Sequence, residues 1–190
     1  QKLNEIQEIQ NKSLEFCLLI SLPSSIGLYL LSEPIVHILF ERGEFLAEDT
    51  FYTAKVLSMF TLGLPAYIFI KVLVTCFFAR EDTKTPLYLS IISVIVNVIL
   101  SLILIKHFRE IGIALATSFS AWVNAILLYL ILRINGYLFI DYKFIKNSLK
   151  IFICSLIMGA VCYILNFSIF SKMTTYINIG ALILTITICI

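Results

Sequence analysis

What most constrains this chain is a succession of apolar runs, at about Leu14–Leu31, Phe51–Ala79, Leu87–Ile105, Ile111–Leu132, Ile151–Phe167 and Tyr176–Ile190, parted by short polar segments. A helix rising ~1.5 Å per residue needs about 20 residues to cross ~30 Å of hydrocarbon. By that measure all the runs but the last can span a membrane, and the last begins a crossing. Unpaired backbone groups are too costly in hydrocarbon for anything but helices or a closed barrel. The runs lack the period-two alternation of a barrel strand. The expected fold is therefore all-α, a polytopic transmembrane bundle of about six helices. Composition agrees, since only 14% of the 190 residues are charged against about 25% in soluble domains.

The polar breaks carry helix-boundary chemistry: Glu41-Arg42-Gly43-Glu44, the stretch from Arg80 to Pro86, and Arg109-Glu110. Pro86 suits the first turn of a new helix. Lys2, Lys12, Arg80, Lys84, Arg133, Lys143, Lys146 and Lys150 fall in one set of alternate segments, and only Arg42, Lys106, Arg109, Lys172 and marginally Lys55 in the other. The positive-inside bias puts the first set in the cytoplasm. The sequence divides into a four-helix part over residues 1–135, a linker at 136–150 and a final helix pair at 151–190. The aromatic and basic residues of Arg133–Lys150 suit either an amphipathic segment on an anionic membrane surface or a solvated connector. The chain opens on Gln1 and its last run falls short of a crossing, so both ends are expected to continue in a longer protein.

Several function classes fall away. A net charge of +2 with basic residues between apolar runs does not suit nucleic acid. His37 and His107 lack ligand spacing, so no metal site is expected. Cys17, Cys76, Cys154, Cys162 and Cys189 form no C-x-x-C pair and read as small buried apolar residues. Neither a nucleophile elbow, a phosphate loop, an H-E-x-x-H motif nor an intramembrane acidic pair occurs, so the chain reads as no enzyme.

Inside the apolar runs a few residues stand out. Lys71 sits well within the second, where an ammonium costs about 2.5–3.5 kcal/mol unless it faces a cavity, pairs, or snorkels toward Arg80. Gly63 and Pro65 precede it by about two turns and predict a bend, serving either as a hinge or as a shape feature. Asn97 and Ser101 share one face of the third run, and Thr117 and Asn124 one face of the fourth. They suit a polar passage, a cation site or simple interhelical hydrogen bonds. Gly112, Ala116 and Ser120 form a small-residue stripe for close helix packing.

Three stretches together resemble the MurJ/MviN family of lipid II flippases, within the superfamily of multidrug, oligosaccharide-lipid and polysaccharide exporters: residues 39–45 (LFERGEF), residues 63–86 around Lys71 and the Arg-Glu-Asp-Thr-Lys-Thr-Pro exit, and residues 112–129 with Trp122 and Asn124. The resemblance implies helices nine to fourteen of a 14-helix, two-lobe transporter in the bacterial cytoplasmic membrane. Such a transporter carries lipid-linked peptidoglycan precursor to the outer leaflet by rocking about a cationic cavity. Lys71 would add positive potential toward that cavity or pair within the lobe. The last two helices would help form a groove for the lipid tail. It further implies sodium or the membrane potential as driving force, with Asn97, Ser101 and Thr117 at sodium-site positions, although Ser101 stands where a carboxylate is expected. The expected partners are the lipid-linked precursor, membrane lipids and an N-terminal lobe, without which this segment should not transport. A related polysaccharide-lipid or multidrug exporter and a membrane-embedded enzyme or scaffold are the alternatives.

Overall fold

The computed structural model describes residues 2–170. The run Tyr176–Ile190, with Lys172 and Cys189, lies outside them. Every element among the described residues is a helix: α1 (Lys2–Leu30), α2 (Ser32–Phe40), α3 (Ala47–Thr61), α4 (Leu64–Phe78), α5 (Lys84–Ile134) and α6 (Tyr142–Phe170). Helix α5 is two antiparallel halves, joined at Arg109, whose φ of 49° and ψ of −129° are non-helical. Gly112 makes the reversal tight, because a Cβ there would lie 2.6 Å from the Leu104 carbonyl oxygen. The stripe Gly112, Ala116 and Ser120 is buried, so the close approach it predicts is made with the other half of its own hairpin.

Helices α3 and α4 form one apolar span, Ala47–Phe78, of 32 residues. They lie between α1, which packs on both and on α6, and α5, which also packs on both. Residues 84–108 of α5 are apolar nearly all round and largely exposed, as suits a helix in lipid.

The expected boundaries shift in two places. The outer segment 32–50 is largely helical, because α2 and the start of α3 occupy it and leave only residues 41–46 as a turn. The linker expected at 136–150 is shorter: the connection is 135–141, and Tyr142 already opens α6. It is no surface-lying amphipathic segment, since Leu138 and Phe144 are buried in a core with Phe77, Leu128 and Leu132. Side chains fasten that connection: Asn11 Nδ2 donates to the Phe139 carbonyl at 3.0 Å, and the Arg80 guanidinium lies 4.3 Å from the Tyr137 ring centre. Cys154 is exposed, contrary to its reading as buried, because it occupies the outward side of α6.

At the opposite end a cavity of about 440 Å³ brings Phe45 and Asp49 beside Arg109 and Glu110. Segments 41–46 and 106–110 therefore share one end of the bundle, while Arg80 and 135–141 share the other, as the charge alternation predicts. The outer end is pinned by Glu41, whose Oε2 lies 2.7 Å from His37 Nδ1 and accepts from Thr50 Oγ1 at 2.7 Å. The His37 contact first, and then the Thr50 bond, hold the Glu41 carboxyl below its ordinary range.

Two measurements test these features. Gly112→Ala is expected to cost about 1–3 kcal/mol through the clash with Leu104, whereas Gly27→Ala, with its nearest atom at 4.0 Å, is expected to be neutral; equal melting temperatures in detergent would sink the close approach. A carboxyl with a depressed pKa stabilises above its unfolded value and loses that contribution as pH falls through the folded one. Wild type should therefore outlast Glu41→Gln at neutral pH, with the difference gone well below about pH 4.

Candidate functional site

The bend expected from Gly63 and Pro65 falls at Leu62 and Gly63, midway along the span, with Pro65 in the first turn of α4. A Cβ on Gly63 would lie 2.8 Å from Ser118 Oγ, so α5 packs directly onto the break. Proline has no N–H, which deprives the Thr61 carbonyl of its helical donor. The Gly63 N–H turns to the Phe60 carbonyl at 3.0 Å, which releases the carbonyl of Met59.

Each carbonyl so freed accepts from a side chain of another helix. Ser25 Oγ on α1 donates to the Thr61 carbonyl at 2.6 Å. Ser118 Oγ on α5 donates to the Met59 carbonyl at 2.7 Å. Trp122 Nε1, one turn further along α5, donates to the Leu62 carbonyl at 2.9 Å. Sequence reasoning singled out the bend but not Ser25 or the role of Trp122. Pro65 announces an orphan acceptor four residues back; which side chain meets it is a matter of packing.

The second polar group joins the two halves of α5. Asn97 Nδ2 donates to Ser120 Oγ at 3.0 Å, and Ser101 Oγ donates to Asn97 Oδ1 at 3.4 Å. Ser120 Oγ in turn donates to the Thr117 carbonyl at 2.9 Å. Thr117 bonds through its own hydroxyl to the Ile113 carbonyl at 2.8 Å, and Asn124 is buried with its Oδ1 unpartnered. The structure thus gathers Asn97, Ser101 and Ser120, with Thr117 present through its carbonyl and Asn124 outside the network.

The side-chain oxygens of this group are all neutral. A hard cation needs several free oxygens converging on one point. Here the Asn97 amide N–H points at Ser120, the hydroxyls donate to carbonyls and to Asn97, and Ser101 contributes no charge. Among the described residues no cluster of three or more His, Cys, Asp or Glu side chains is placed to hold a metal.

Lys71 lies on an exposed stripe of α4 with Thr75 and Phe78, opposite the face that buries Ala66, Leu73 and Phe77. Among the described residues no carboxylate forms an ion pair with it. Its carbonyl accepts from Thr75 Oγ1 at 2.8 Å.

The family model described as lipid II flippase MurJ matches residues 1–183. A probable lipid II flippase MurJ of Rhizobium meliloti (strain 1021) is 43% identical over 162 residues, covering 85% of this chain and 30% of that protein. The lipid II flippase MurJ of Thermosipho africanus (strain TCF52B) is 36% identical over 158 residues, covering 83% of this chain and 32% of that protein. A solved lipid II flippase MurJ in an inward closed conformation superposes with a TM-score of 0.77 at 32% identity, covering 98% of this chain and 38% of that one. The chain thus spans about a third of the length of these proteins.

The Asn97–Ser120 contact is expected to act as a structural seam. A double-mutant cycle of Asn97→Ala and Ser120→Ala should give a coupling near 0.6 kcal/mol, typical of hydrogen bonds between membrane helices. Replacing potassium with sodium should leave the melting temperature of the parent unchanged; a sodium-dependent rise abolished by Asn97→Ala would show instead that the cluster holds the ion.

Proposed function

The chain belongs to the lipid II flippase family MurJ, and from that membership we propose that it forms the C-terminal part of a transporter moving lipid-linked peptidoglycan precursor from the inner to the outer leaflet of the bacterial cytoplasmic membrane. The observation that carries this reading is the match of nearly the whole chain, in sequence order and in space, to such flippases. Membership in a transporter family removes the enzyme or scaffold alternative.

In this proposal the exposed stripe of α4 faces the substrate passage. An ammonium turned to lipid costs about 2.5–3.5 kcal/mol at mid-bilayer, and one turned to a wet passage avoids that cost. Lys71 then presents positive charge to the pyrophosphate of the head group, while the apolar outer faces of α5 and α6 remain in lipid. The groove for the lipid tail involves the final helix pair. The membrane potential is the driving force this reading favours, because the seam at Asn97 is a poor cation site. Alternating access comes from this lobe rocking against its N-terminal counterpart.

The test is complementation. In a bacterium depleted of its own lipid II flippase, the whole protein containing this segment should restore both survival and outward exposure of lipid II. Lys71→Ala should lower the exposure rate several-fold, and Lys71→Arg should keep most of it. An inserted, well-expressed protein that restored neither would turn the reading toward a related exporter.

A further inference from the structure

Three carbonyls at the break in the α3–α4 span are met by side chains of other helices, and this singles out residues that no transport role has yet claimed. We propose that Trp122 is a positioning residue, a latch that sets the angle between α3 and α4, with Ser118 and Ser25 as the fixed points behind it. The proposal rests on the flippase reading for its place in a transport cycle, and on the geometry of the break for everything else.

The carbonyls of Met59, Thr61 and Leu62 accept from side chains of other helices, so the angle at the break depends on those bonds as well as on the backbone bonds from Gly63 to Phe60 and from Tyr67 to Gly63. The three bonds differ in how freely they can be released. Ser25 and Ser118 are buried, and withdrawing their hydroxyls would strand an acceptor in an apolar interior. Trp122 is 38% exposed at the edge of the bundle, so its indole can swing away without leaving a buried cavity. Beside Trp122, Ala66 of α4 packs on Ala121 and Ala125 of α5, with Tyr67, Phe69 and Ile70 packed against that cluster. Gly63 against Ser118 supplies the pivot, since the contact there leaves no room for a Cβ. The break therefore has a fixed pivot and one releasable bond.

The experiment uses the whole protein carrying spin labels at positions 52 and 79, exposed sites near the two ends of the α3–α4 span, and reads the distance distribution across the break in lipid. Trp122→Phe keeps a ring and removes the N–H. A single hydrogen bond of typical strength between membrane helices corresponds to about a three-fold change in a population ratio. Trp122→Phe is expected to enlarge the minor distance population about three-fold while the melting temperature stays near that of wild type, and Trp122→His, which restores a ring N–H, should reverse the shift. Should Trp122→Phe fail to insert, Ser118→Ala removes a donor from the same break and should shift the same ratio in the same direction. An unchanged distribution in the variants that insert overturns the latch, as does a shift that follows loss of melting temperature and is not reversed by Trp122→His. Because the distances are read without substrate, a wild-type protein that fails to expose lipid II refutes the flippase reading and leaves the latch to be judged on the distances alone.

Discussion

In hydrocarbon a backbone carbonyl without a donor has no water to turn to, and the arrangement of this bundle follows from how that constraint is met at one place. Around Pro65 and the turn at Gly63, three carbonyls in the middle of a long apolar span accept from side chains of other helices. Meeting them requires a donor from α1 and two from α5 at fixed depth, which holds α3 and α4 between those helices. Between apolar helices in lipid there is little hydrophobic drive, so such bonds and close backbone contacts carry much of the specificity. Gly63 against Ser118 and Gly112 against Leu104 are the two tightest approaches involving α5, and each depends on the absence of a side chain.

The same economy appears at both ends. On the inner side, Asn11, Arg80 and Asn147 tie α1, α4, the 135–141 connection and α6 together through bonds to backbone and carboxylate. On the outer side, Glu41 gathers His37 and Thr50 and so joins α2 to α3. These groups act where water reaches them, and each bond there is worth less than one sealed inside the span. The exposed face of α4 with Lys71 is left clear of these bonds.

Membership in the flippase family gives these features a common purpose. In the proposed transport cycle, a lobe that rocks as a unit would need its helices fastened at mid-depth. The hydrogen-bonded seam of Asn97, Ser101 and Ser120 fastens the hairpin of α5.

Much was legible in the chain itself. Unbroken apolarity fixed helices in lipid, charge alternation fixed which ends share a side, and Pro65 and Pro86 marked a break and a helix start, because these depend on local composition and on the chemistry of single residues. The motif strings around Arg42, Lys71 and Trp122 pointed to the family. Other features were beyond reach. That α2 is helical, that Leu138 and Phe144 draw the connection into the core, that Cys154 faces outward, and that Asn97 finds Ser120 while Asn124 does not all depend on how helices rotate against one another. An orphan carbonyl can be counted from sequence, since proline lacks an N–H; the choice of Ser25, Ser118 and Trp122 as its donors was decided only by tertiary packing, which sets the distance and direction between groups far apart in the chain.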